Sequence, residues 1–278
     1  MQKYEVAGHE PSLLPDGKWK LVWSDEFDGD TLDTTKWGFR RGIMQNWHKT
    51  YTDEGIEVKD GCVHINLVEK DGHYYSAQLQ TGSNFMDNPP EENGYGKFVW
   101  PIAKLEEQKF LHKYGYYECR CRTQQKGGWW SAFWLQSPII GCCADPGKAG
   151  VEVDIMESFE PGRMIPHFLH WGGYGAEHKE KFITEHETEF APDRFSIPNH
   201  EEFHTFAVNW TPNGYDFYID GVFDGHHDGP VSHTEQFILI STECDGYRYS
   251  DQPNELLKSA MPDAFIVDYV RVFDPIEE

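Results

Sequence analysis

Hydrophobic and polar residues alternate along much of the chain with a period of two, the spacing of a strand that buries one face. Candidate strands cover residues 19–27, 61–70, 73–82, 114–124, 129–137, 150–158 and 166–171, each bounded by Gly, Pro, Asn or Asp. The sharpest case is a hairpin in the C-terminal third. There Phe206, Val208 and Trp210 share a face, the run TPNG at 211–214 supplies turn chemistry, and Tyr215, Phe217 and Ile219 face inward on the return. Further strands are expected at 236–242 and 265–274, and helical spacing is confined to 252–260. Many short strands, no internal repeat and no linker predict an all-β protein. The pattern fits a sandwich of two antiparallel sheets in a single domain covering residues 1–278.

One run breaks the alternation. In GVEVDIMESF (150–159), Val151, Val153 and Ile155 share one side, and Glu152 and Asp154 share the other. The next residue on the acidic side is Met156, and the third acid, Glu157, comes one position late. A β-bulge at Ile155-Met156 inserts one residue and returns Glu157 to the face of the other two acids. Same-face neighbours on a strand stand about 6.5–7 Å apart at the backbone, so the two glutamates can converge from either side of Asp154. Carboxyl groups about 5–5.5 Å apart suit retaining glycoside hydrolysis, in which one attacks and the other donates a proton. Crowding of three acids raises the pKa of at least one. Three other readings stay open on spacing alone: a solvated strand face, a set of Ca²⁺ ligands, or the remnant of a site in a sugar-binding protein without turnover.

Composition narrows the partner. Aromatics make up 15% of the 278 residues, with 10 Trp, 14 Tyr and 18 Phe, more rings than a core needs and a common means of holding sugars. The formal charge of −23 repels nucleic acid and anionic membranes and favours a neutral or cationic partner. No apolar run is long enough for a membrane span, and the first residues lack the apolar segment of a signal peptide. The six cysteines show no CxxC spacing. Cys119 and Cys121 share a face with Tyr117 and read as core thiols, whereas the adjacent Cys142 and Cys143 have no assigned role.

The run EVDIMES, in its flanks, resembles the bulged E-x-D-x-x-E signature of glycoside hydrolase family 16. LVWSDEFDGDTLDTTKW (21–37), YGYYECRCRTQQKGGWWSAFWLQ (114–136), FHTFAVNWTPNGYDFYIDG (203–221) and FIVDYVRVFD (265–274) resemble that family's other strands, so the likeness covers nearly the whole chain. It implies a β-jelly roll with a concave carbohydrate-binding cleft and an endo-acting, retaining hydrolase of polysaccharide β-linkages. In the family's scheme Glu152 is the nucleophile, Glu157 the acid/base and Asp154 the helper. The favoured substrate is a β-1,3- or mixed-linkage β-1,3-1,4-glucan. Agar- or porphyran-type galactans and transglycosylation are the alternatives.

Alternation puts Trp130 and Trp134 on the face of Gln136 and the acids; the resemblance makes them sugar platforms, with filling of the sandwich as the alternative. The resemblance adds His170 and Trp171 beside the leaving-group sugar, with a packing histidine as the alternative, and Trp47 and Tyr51 at the far end of the cleft. It also implies no catalytic cofactor and a structural Ca²⁺ held by Glu26 and Asp268, for which an arginine pair is the alternative. A monomer acting outside the cell or in the periplasm is expected. Two departures leave the polymer open. Trp47-His48-Lys49 stands where laminarinases usually carry a Glu and a Gln, and the loop at 137–150 is longer than theirs.

Overall fold

Two antiparallel sheets face each other across one apolar layer in the computed structural model, which describes residues 1–40, 50–85, 105–165, 167–182, 197–247 and 252–276. The acid-bearing sheet runs in the order Lys179–Phe182, Phe168–Trp171, Glu152–Glu160, Trp129–Gln136, Phe237–Cys244, Gln78–Gln80 and Gly38–Phe39, with Arg163–Ile165 also paired to the acid strand. The second sheet runs Val222–His227, Gly214–Ile219, His204–Thr211, Gly115–Arg122, Ala264–Pro275, Cys62–Asn66 and Ile56–Lys59, with Trp19–Asp25 against Ala264–Pro275. The expected all-β jelly roll is the observed architecture.

Period-two alternation fills the space between the sheets. One sheet contributes Phe133, Leu135, Val151, Val153, Ile155, Leu169, Ile238 and Ile240. The other contributes Tyr117, Cys119, Cys121, Phe206, Val208, Trp210, Tyr215, Phe217, Val267, Val270 and Val272. Every cysteine is a free thiol, and Cys119 and Cys121 pack in this core as the alternation predicts. A one-residue slip of the acid strand would turn Val151, Val153 and Ile155 to water, at about 1.5–3 kcal/mol for each fully buried side chain. Core burial therefore fixes which way the acids point.

The expected helix at 252–260 is a 3-10 turn at Glu255–Ser259, capped by the Asn254 side chain, which accepts from Leu256 N. Pro253 and Pro262 bound the stretch and disfavour helix at the residue before each. Trp129 fills a smaller satellite core with Leu67, Tyr74, Cys244, Tyr247, Leu257 and Ala260.

Candidate active site

The bulge is present where the broken alternation requires it. Trp134 pairs with Asp154 and Phe133 with Met156, so Ile155 is the extra residue, and Ala132 then pairs with Glu157. Both Ile155 and Met156 are buried in the core, 0% and 1% exposed. Glu152, Asp154 and Glu157 consequently share the outward face with Gln136, Trp134 and Ala132 of the neighbouring strand.

A bulge frees a backbone carbonyl, which must find another donor. The ring of His167 meets that need: its Nδ1 lies 2.9 Å from Ile155 O. A carbonyl only accepts, so Nδ1 carries the hydrogen. His167 is fully buried, stacks on Phe217 with 4.2 Å between centroids, and turns Nε2 to Asp224 Oδ2 at 3.1 Å. A positive φ of 59° at His167 turns the chain into the Phe168–Trp171 strand.

At the Glu152 end, Gln136 Nε2 donates to Glu152 Oε2 at 2.7 Å, and the Tyr174 hydroxyl donates to the same oxygen. Asp154 is the buried member of the row, 4% exposed. Burial, then the charges of Glu157 and Glu152, push its carboxyl well above the usual range. His170 pairs with Glu152 across the strands, and its Nε2 lies 3.4 Å from Asp154 Oδ2. Burial, and His178 beside it, pull His170 down to about 4. Both shifts run toward the neutral form of the group concerned.

At the Glu157 end, Trp130 stacks on Phe159 with 5.2 Å between centroids, and Phe159 is exposed. Trp130 pairs with Glu243 on the next strand, and Tyr51 OH donates to Glu243 Oε2 at 2.9 Å. Tyr51 therefore belongs to the same face as the acids. Trp134 also shares that face, but only 8% of it is exposed. Its Nε1 donates to Ser241 Oγ at 2.9 Å, and the Arg40 guanidinium lies 5.3 Å from its ring centroid.

Trp171 is half-buried and turns away from this face. It packs against the central core, because it follows His170 by one residue and strand alternation sends the two to opposite faces. Trp47 lies outside the described residues. Glu26 and Asp268, the expected calcium ligands, each meet an arginine. Arg271 holds Glu26 through Nε at 3.0 Å and Nη2 at 2.7 Å, and Arg120 Nη1 holds Asp268 at 2.5 Å. Each acid has its own guanidinium group, which is what the arginine alternative expects.

Gln136, Tyr174, Phe159, Glu243 and His167 were not singled out from sequence. Glu243 had a signal, since it continues the face of Phe237, Leu239 and Ser241 and is an acid in an apolar run.

A sandwich that turns three carboxylates of one bulged strand to its outer face is the arrangement a glycosidase with paired carboxylates needs. The model of glycosyl hydrolases family 16 matches residues 44–226, and the chain belongs to that family. It is 25% identical to glucan endo-1,3-beta-glucosidase A1 of Niallia circulans over 91% of this chain and 37% of that protein, so it spans little more than a third of that relative. It is 27% identical to beta-porphyranase C of Zobellia galactanivorans over 78% of this chain and 68% of that one. The laminarinase of Rhodothermus marinus superposes with a TM-score of 0.65 at 22% identity, covering 95% of this chain and all of the other, a likeness of fold.

Proposed function

We propose that the chain is a retaining endo-β-glycosidase of polysaccharides, working from Glu152, Asp154 and Glu157. The observation that carries this reading is the bulge at Ile155, which sets two glutamates on one face with a buried acid between them. In the first step the Glu152 carboxylate attacks the anomeric carbon, the glycosidic bond breaks, and the Glu157 proton passes to the leaving oxygen. In the second, the Glu157 carboxylate takes a proton from water. The water oxygen then attacks the same carbon and expels Glu152. Two inversions give net retention. Gln136 and Tyr174 hold Glu152 in position, and Asp154, whose carboxyl is pushed up by burial and by both glutamates, stands between the two working charges. Trp130 and Phe159 offer an aromatic wall to a sugar on the Glu157 side, with Tyr51 further along.

The favoured polymer is a neutral β-1,3- or mixed-linkage β-1,3-1,4-glucan, supported by the charge of −23 and by the glucan endo-1,3-beta-glucosidase among its relatives. Arg40 favours the second reading, an anionic galactan. It adds a cation beside Trp134 on the acid face, and one relative is a porphyranase. Such polymers do not cross membranes, so we place the enzyme outside the cell or in the periplasm, acting as a monomer built of one domain. No helix among the described residues is long and apolar enough to cross a membrane.

The test is a panel of laminarin, mixed-linkage glucan, agar and porphyran, assayed for new reducing ends. Glucan cleavage by the wild type and its loss, by about 10²–10⁴-fold, in Glu157→Gln is the expected result. Near-native rates in that variant would remove Glu157 from the chemistry, and cleavage confined to porphyran would move the substrate to the second reading.

A further inference from the structure

At the edge of the acid sheet, beyond Glu152, three good metal ligands point at one another. His170 pairs directly with Glu180 of the Lys179–Phe182 strand, so both side chains stand on the outward face. His178, two residues before Glu180, falls on the same face and stacks on His170 with 5.1 Å between centroids. His170 Nδ1 is 2.9 Å from His178 Nε2 and 3.7 Å from Glu180 Oε2, and one ligand atom from each of the three lies within 4.8 Å of the others. Lys179 and Lys181 pair with Trp171 and Leu169, which puts them on the opposite face.

We propose that His170, His178 and Glu180 form a site for a divalent transition metal such as Zn²⁺, and that the bound metal inhibits turnover. Ligands about 2.0–2.1 Å from a tetrahedral zinc stand roughly 3.3 Å from each other. The observed 2.9 and 3.7 Å bracket that spacing, so small rotations of the edge side chains complete the geometry. Two imidazoles and a carboxylate suit zinc, and the fourth position falls to water.

An outer partner is also in place. A metal on His170 Nδ1 leaves the hydrogen on Nε2, which faces Asp154 Oδ2 at 3.4 Å. A carboxyl oxygen there accepts that hydrogen, the kind of outer contact that orients a metal-bound imidazole. The same contact couples the site to the acid row. The metal locks the His170 ring and sets a double positive charge near the row, opposing the protonated Glu157 that leaving-group departure requires. The inhibitory half of the proposal rests on the catalytic reading above, whereas the binding half does not.

The experiment titrates the full chain with Zn²⁺ against a chromophoric chelator, and in parallel measures turnover with Zn²⁺ and with EDTA. The wild type is expected to bind one equivalent at micromolar free metal, to lose most of its turnover, and to recover it with EDTA. Glu180→Gln keeps its basal turnover and needs about tenfold more Zn²⁺ for either effect, and His178→Ala loses affinity by at least as much. Absence of stoichiometric binding would overturn the site, even if no polysaccharide proved to be a substrate. Undiminished affinity in both variants would put the metal on the other convergent group, Glu152, Asp154 and His170, and overturn it too. Binding as described with full turnover retained would overturn the inhibition.

Discussion

Glu118 gives the prediction with the clearest magnitude. It stands on the sheet opposite the acids, on the side away from the central core, and is fully buried beneath residues 10–14. Leu13 N donates to Oε1 at 2.9 Å, and Tyr269 OH donates to Oε2 at 3.2 Å. Arg271 lies in the same layer, holding Glu26, Glu10 O and Ser12 Oγ. Burial nevertheless outweighs these contacts and pushes Glu118 up from 4.5 to about 7. Between those two pH values the unfolded chain has released a proton that the folded chain still holds. Raising the pH therefore favours unfolding across that window and adds no further cost above it. At about 1.36 kcal/mol per pH unit, the loss comes to about 3 kcal/mol. Glu118→Gln keeps the shape and an acceptor but does not titrate. Urea unfolding of both proteins at matched ionic strength, from pH 4.5 to 8, should show the variant gaining about 3 kcal/mol on the wild type as the pH rises. A difference that stays flat across that range would mean that Glu118 is ionised in the folded protein throughout, and the burial argument would be wrong.

Two more predictions concern the acid face. His167→Phe keeps a ring against Phe217 but removes the donor from Ile155 O, so it should cost about 1–3 kcal/mol in denaturant unfolding and lower kcat more than it raises KM. An unchanged kcat would mean that the bulge holds itself without His167. Trp130→Ala should weaken oligosaccharide binding by about two- to tenfold in titration calorimetry with the inactive Glu157→Gln background. Identical affinities would return Trp130 to a purely structural role.

Much of the fold was legible because its core follows one rule. Wherever a strand buries a single face, a period of two names the buried residues, as at Phe206, Val208 and Trp210. The bulge was legible for the same reason, since a break in a strict period is itself a signal. Trp171 follows His170 by one residue, so strand alternation turns it toward the core, whereas the resemblance had placed both beside the sugar. Trp134 lies on the expected face, but its cover by Arg40 depends on a residue distant in sequence. His167 was out of reach. Its work is a bond to one backbone carbonyl, visible only once the register of Phe133, Trp134 and the acid strand is known. Glu26 and Asp268 were rightly singled out as acids needing partners, and only the fold could decide which arginine each one meets.

The central claim is that Glu152 and Glu157 act in turn on one anomeric carbon. Proton NMR of the first products released from the polysaccharide that the protein cleaves tests it most directly. The account requires the new reducing end to appear as the β-anomer and to mutarotate to the α-form only afterwards. An α-anomer formed first would mean a single displacement by water, and Glu152 would not be the nucleophile.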